Sequence, residues 1–277
     1  MTNTNIPLVV DLDGTLTPTD TLVESFIQMV KQSPFDLLRL PLCLMQGRAR
    51  VKEAIAAHSN IAGELLPYRE SFLAYLYEEK QKGRRIVLAT AAHRSIAENV
   101  AKHLGLFDQV LATEASHNLK GKVKLQAIQE KVGNVFVYAG DSQADLPIWK
   151  ASQAAVLVDV PATTAETVRR DVPIEREFQG DSAGISVWLR ALRVHQWLKN
   201  LLLFVPLLTA FSFTDISKLV SLMLAFLAFS FVASATYMLN DLWDLENDRA
   251  HPRKRFRPFA SARFSEYQPF LNSETKI

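Results

Sequence analysis

The sequence holds a single cysteine, Cys43, in 277 residues. That excludes an intrachain disulfide and any zinc site built on several thiolates, and it fits a reducing compartment. Neither charge is in surplus: 31 Lys and Arg face 29 Asp and Glu, a formal +2. Such a balance gives no electrostatic ground for a nucleic-acid partner, and none is expected. No secretory leader is expected either, because "MTNTNIPLVV" has no basic start and its apolar run is too short. Internal repeats and low-complexity tracts are absent. Up to residue 200 no apolar run reaches membrane length. Then residues 219–239 supply 21 in a row without a charge, enough to cross a bilayer as a helix.

What is present has a regular plan. "IPLVV" (6–10), "RIVLAT" (85–90), "NVFVYAG" (134–140) and "AAVLVD" (154–159) are short apolar runs ending at Asp, Thr or Gly. Helix-like stretches such as "SIAENVAKHLGL" (95–106) and "KVKLQAIQEKVG" (122–133) lie between them. Continuous apolar strands alternating with helices predict an α/β fold, a parallel sheet with helices on both faces. Ligands of such sheets sit at the carboxyl ends of the strands, where Asp11, Asp13, Thr90 and Asp141 fall. Residues 19–80 interrupt the alternation with helical patterns and predict a cap over those ends. Residues 170–187 are polar and poorly periodic, the expected site of a linker.

Two aspartates two residues apart at a strand end are costly without a cation to compensate. Magnesium is the economical one, because it binds through one or two carboxylates plus substrate phosphate oxygens. With it present, one carboxylate can attack phosphorus while the other protonates the leaving oxygen and later deprotonates water. Gly14 lets the backbone turn closely around a phosphate. His58, His93, His103 and His117 show no ligand spacing, although His93 stands close enough to Thr90 in sequence to approach a phosphate.

"DLDGTLT", "IVLAT", "GKVK" and "YAGDSQAD" resemble, in order, the four motifs of the haloacid dehalogenase-like (HAD) phosphohydrolases. The resemblance implies Asp11 as nucleophile and Asp13 as general acid and base. It implies Thr90 and Lys124 as phosphate ligands, with Lys122 as the alternative lysine. Asp11, Asp141 and the Asp13 backbone carbonyl become magnesium ligands, and Asp145 supports the metal site. The insertion after the first motif resembles the helical cap of the phosphoserine phosphatase-like branch.

The C-terminal third reads differently. "WLRALRVHQWLKN" (188–200) mixes Trp and Arg as a membrane-interface helix does. Residues 197–213 and 219–239 predict two legs of a transmembrane hairpin, with Lys199 snorkelling to lengthen the first. Asn240, Asp241, Asp244 and Asp248 follow at helical spacing, which puts them on one helix face beside Arg249, Arg253, Lys254, Arg255 and Arg257. Acids for magnesium and cations for phosphates make a diphosphate site. "RVHQWLKNLLLFVPLL" and "NDLWDLENDRAHPRKRFRPFAS" resemble the start of UbiA-type membrane prenyltransferases, nearest the branch that joins phosphoribosyl diphosphate to a polyprenyl phosphate. "NDLWDLEND" stands for that family's first Asp-rich motif. The family's further helices and second Asp-rich motif find no counterpart, so a truncated segment is expected.

The domains expected are thus a HAD-like phosphatase at 1–180 with its cap at about 19–80, a linker at 181–190, a UbiA-like membrane segment at 191–262, and a polar tail at 263–277. The activity expected is a magnesium-dependent phosphomonoester hydrolase, tethered to membrane lipid with its catalytic domain in the cytoplasm. Its substrate is a phosphorylated small molecule or a lipid-linked sugar phosphate, and a transferase subunit is an expected partner. The rival expectation is a prenyltransferase or phosphoribosyltransferase fragment with the HAD part accessory.

Overall fold

The computed structural model describes residues 6–57, 61–114, 118–180, 184–212 and 214–262. The polar tail at 263–277, His58 and His117 lie outside them. The chain divides into two compact units, Met1–Asp181 and Ser182–Ile277.

The first unit is built on a six-stranded parallel sheet. Its strands are β1 (Leu8–Val10), β2 (Ile86–His93), β3 (Gln109–Thr113), β4 (Val137–Gly140), β5 (Ala154–Val158) and β6 (Ile174–Phe178), in the order β3-β2-β1-β4-β5-β6. Alternation along the strands sorts their side chains to two cores. Leu8, Val10, Ile86 and Leu88 face one side, against Phe72 and Leu76 of α4 (Glu70–Gln81) and Ile96 and Val100 of α5 (Arg94–Leu104). Val9, Val87 and Tyr138 face the other, against Ile128 of α6 (Lys122–Lys131), Trp149 of α7 (Leu146–Ala151) and Val168 of α8 (Ala162–Asp171). Both faces are covered, which is why the inner strands read as unbroken apolar runs.

The cap differs from expectation at its end. α1 (Thr21–Gln32), a 3-10 turn at Pro34–Arg39, α2 (Leu40–Met45) and α3 (Arg48–Ala56) form it. α4 does not, because Phe72, Tyr75 and Leu76 pack into the core beneath the sheet. The expected linker differs too. Residues 174–178 are the edge strand β6, whose Glu175 carboxylate accepts from Arg84 and from the Tyr75 hydroxyl.

In the second unit, α9 (Ile185–Ala191) occupies most of the expected linker and stops before Arg193, whose φ of 50 breaks the predicted interface helix in two. The first expected leg is no continuous α-helix: Val194–Phe204 is 3-10, followed by α10 (Val205–Thr209) with Pro206 in its first turn. The second leg is one helix, α11 (Ile216–Trp243), the described helix long and apolar enough to cross a membrane. The legs run antiparallel, held by Trp197 Nε1 donating to Ser234 at 3.0 Å, Asn200 to Ser230 at 2.9 Å, and Phe204 against Phe226.

Candidate active site

β1 sits where the chain reverses its order of winding, between β2 and β4, and a crevice at the strand carboxyl ends forms at such a point. Three of the predicted residues arrive there by strand register. Asp11 follows β1 and donates its N–H to Ala139 of β4 at 3.1 Å. Thr90 ends the run of five buried residues that opens β2, and Asp141 follows β4. The turn after Asp11 is tight, with Leu12 N–H donating to Asp11 Oδ1 at 2.8 Å. Gly14 has φ 78, and a Cβ on it would lie 2.2 Å from Asp141 Oδ2. A side chain there would collide with the carboxylate.

Lys124, buried on α6, donates to Asp11 Oδ2 at 2.6 Å and lies 3.9 Å from Asp145 Oδ1. Lys122 is exposed on the same helix and faces away from this group. Oxygen atoms of Asp11, Asp141 and Asp145 all lie within 4.8 Å of one another. Thr15 donates to Asp141 Oδ1 at 3.0 Å. Asp145 Oδ2 accepts from the Asp141 and Ser142 amides at 3.3 Å each, which folds the loop back on its own helix start. Asp13 sits at the edge of this group, and its Oδ1 accepts from the Thr21 amide at 2.9 Å.

Burial pushes the Asp11 carboxyl up, against the pull of Lys124. Burial, then the charges of Asp145 and Asp11, pushes Asp141 well above the carboxylate range. Asp13 is raised to about 7, first by burial and next by the charge of Asp20. These are the marks of carboxylates crowded without enough positive charge. Lys124 supplies one cation to a cluster of three acids, and a hard, oxygen-seeking dication fits the remainder.

Three residues at the site escaped the sequence reading. Tyr138 points from β4 into the cluster, its hydroxyl donating to Asp145 at 2.8 Å and lying 3.2 Å from Lys124 Nζ. In "NVFVYAG" it reads as one more strand residue, and nothing distinguishes its polar tip. Arg69 donates to the Gly14 carbonyl at 3.1 Å and to Asp159 at 2.6 Å, tying the turn after Asp13 to the end of β5. Lys52 of α3 reaches from the cap to the Ala91 carbonyl at 2.7 Å and Asn118 at 2.9 Å. His93 instead caps α5, accepting from the Ser95 amide.

The second acidic cluster does not take the expected form. α11 ends at Trp243 and α12 (Leu245–Ala250) begins after Asp244, so Asp248 is not on the same helix as Asp241. Asn240 is exposed and Asp244 half-buried. Asp241 accepts from Arg193 at 2.6 Å and Arg257 at 3.1 Å, and Arg257 also bridges to Asp248 at 2.6 Å. Acids and arginines expected to hold a metal and a diphosphate hold each other. Among the described residues these aspartates form no converging group like that of Asp11, Asp141 and Asp145.

Family models match each unit separately. A family model described as haloacid dehalogenase-like hydrolase matches residues 8–150, and one described as UbiA prenyltransferase family matches 201–271, reaching into the expected polar tail. An uncharacterized protein, y4nM of Sinorhizobium fredii, is 43% identical over 268 residues, 96% of this chain and 52% of that protein. A decaprenyl-phosphate phosphoribosyltransferase of Mycolicibacterium smegmatis is 39% identical over 92 residues, 31% of this chain and 28% of that enzyme. The chain spans about half the length of the first of these relatives and less of the second. Among solved structures, a substrate-bound phosphoserine phosphatase complex covers 62% of this chain and 93% of its own at 14% identity and TM-score 0.41.

Proposed function

The chain belongs to the haloacid dehalogenase-like hydrolase family, with a UbiA prenyltransferase-family segment attached, and from that premise we propose that it is a membrane-tethered phosphomonoester hydrolase. The observation that carries this is the nucleophile's surroundings. One Asp11 oxygen is held by the Leu12 amide, the other by Lys124 at 2.6 Å, inside a converging set of acids.

The steps follow from the chain's own groups. A substrate phosphate lies between Thr90 and Lys124, which take its non-bridging oxygens. An Asp11 oxygen attacks phosphorus, forming an aspartyl-phosphate as the bond from phosphorus to the ester oxygen breaks. Asp13 gives its proton to the departing alkoxide, a role suited to a carboxyl raised to about 7. Asp13 then takes a proton from water, whose oxygen bonds to phosphorus and releases Asp11 and inorganic phosphate. Asp11, Asp141 and the Asp13 carbonyl would hold magnesium, with Asp145 in support, and the bound ion neutralises charge on the phosphoryl group in transfer.

The substrate class proposed is a phosphorylated small molecule or polyprenyl-linked sugar phosphate, because the UbiA-like segment is similar to an enzyme whose name specifies decaprenyl phosphate. The second unit would act as a membrane hairpin, with the hydrolase unit in the cytoplasm and a transferase subunit as partner. A second reading, a transferase fragment with an accessory hydrolase unit, rests on that same likeness. Magnesium-dependent hydrolysis of p-nitrophenyl phosphate by the full chain in detergent tests the first. Asp11→Asn should lower turnover by several orders of magnitude; turnover retained in that variant would refute the nucleophile.

A further inference from the structure

The cap carries an apolar surface that the catalytic reading leaves unused. The 3-10 turn Pro34–Arg39 and α2 contain no buried residue. Phe35 is 83% exposed, Leu38 77%, Leu42 63%, Leu44 62% and Met45 86%, all within eleven residues and outside the core. The segment's two charges, Asp36 and Arg39, pair with each other at 3.0 Å, so its outward face is neutral as a whole. At about 2.0 Å per 3-10 residue and 1.5 Å per α residue it is roughly 21 Å long. That is too short to cross a bilayer and suited to lying in its surface.

We propose that Pro34–Met45 is a lipid-contacting element, which docks the cap on the surface of the membrane that holds the second unit. The inference rests on the membrane part of the proposed function. Chain connectivity is what selects lipid as the occupant. Only residues 179–184 separate β6 from α9, a reach of about 21 Å at full extension. α11 exposes large apolar side chains such as Leu224, Phe231 and Val232. A unit leashed that closely to a bilayer meets lipid before it meets any soluble partner. α3 follows directly, and its Lys52 bonds to the Ala91 carbonyl and Asn118 beside Thr90. Docking α2 on lipid therefore presents the catalytic loops to a phosphate borne by a lipid.

The test uses the full chain with Cys43→Ser and Met45→Cys, labelled with an environment-sensitive fluorophore in phosphatidylcholine–phosphatidylglycerol vesicles that carry a spin-labelled lipid quencher. The expected result is quenching at position 45 several-fold above that of a Lys102→Cys control on the outer face of α5. Adding Phe35→Ser and Leu38→Ser should remove most of it. The same pair, which lies outside the catalytic crevice, should leave p-nitrophenyl phosphate turnover unchanged. Quenching no greater at 45 than at 102 overturns the proposal. So does quenching at 45 that appears only when the protein-to-lipid ratio is lowered at a fixed quencher fraction, which would mark a second copy as the occupant. Because quenching is read without turnover, a chain that fails as a phosphatase is still tested here.

Discussion

At the scale of single residues, the charge of the catalytic crevice decides its behaviour. Asp11 and Asp141 are raised chiefly by burial, so protons and a bound cation compete for these carboxylates. The sign follows: magnesium affinity should rise with pH until those carboxyls ionise, and uptake should release protons. Calorimetric titrations in two buffers of different ionisation enthalpy measure the release, and enthalpies independent of buffer would contradict it. Lys124→Ala should weaken phosphate binding and turnover strongly, whereas Lys122→Ala, altering an exposed side chain, should change both little. Steady-state kinetics on the two variants separate them. The sequence carried Asp11, Asp13, Thr90 and Asp141 because acids and hydroxyls at strand ends stand out against apolar runs. It left Lys122 and Lys124 unresolved, since only helix phase relative to the sheet decides which one points inward. Tyr138 was invisible because a strand pattern registers its ring and not where its hydroxyl goes.

At the scale of elements, the buried inner strands were legible and the sheet's edges were not. β6 reads "IEREF", three charges in five residues, and passes for a linker. It is held by side chains distant in sequence. Arg84, 1% exposed, donates to Glu79 and Glu175, and Arg176 lies over the Tyr75 and Phe178 rings. Arg84→Met would leave Glu79 with Lys82 and Glu175 with Tyr75 as their remaining partners. Loss of one partner of a buried pair costs about 3–5 kcal/mol. Because Tyr75 and Lys82 offset part of that, destabilisation near the lower end is expected. Urea unfolding of the wild type and variant measures it; a shift under 1 kcal/mol, within the range of a surface pair, would contradict the account. The first leg of the hairpin shows the same limit. Its apolar content was plain, but the 3-10 geometry of Val194–Phe204 was not. The taller rise has a consequence: with α10 the leg is roughly 30 Å long, about a hydrocarbon thickness despite having few residues.

At the scale of the whole molecule, a hydrolase unit and a membrane-type helical pair share one chain, and the proposed function needs both. If both legs cross, the chain between them lies on the side opposite the hydrolase unit. Ser217→Cys in a Cys43→Ser background, in inside-out vesicles, should then resist an impermeant thiol reagent until detergent is added. Immediate labelling would mean a surface-lying hairpin. The pairing of Asp241 and Asp248 with Arg193 and Arg257 bears on the second reading, because a transferase would have to break those ion pairs to free the acids for a metal.

The central claim is that phosphorus passes through Asp11. Hydroxylamine intercepts an acyl phosphate and leaves a hydroxamate on the carboxyl that carried it. The full chain turning over p-nitrophenyl phosphate with magnesium and hydroxylamine, then digested and sequenced by mass spectrometry, reads that mark. The account predicts a hydroxamate at Asp11 that depends on substrate and on magnesium; turnover with Asp11 unmodified, or the mark on another carboxylate, would contradict it.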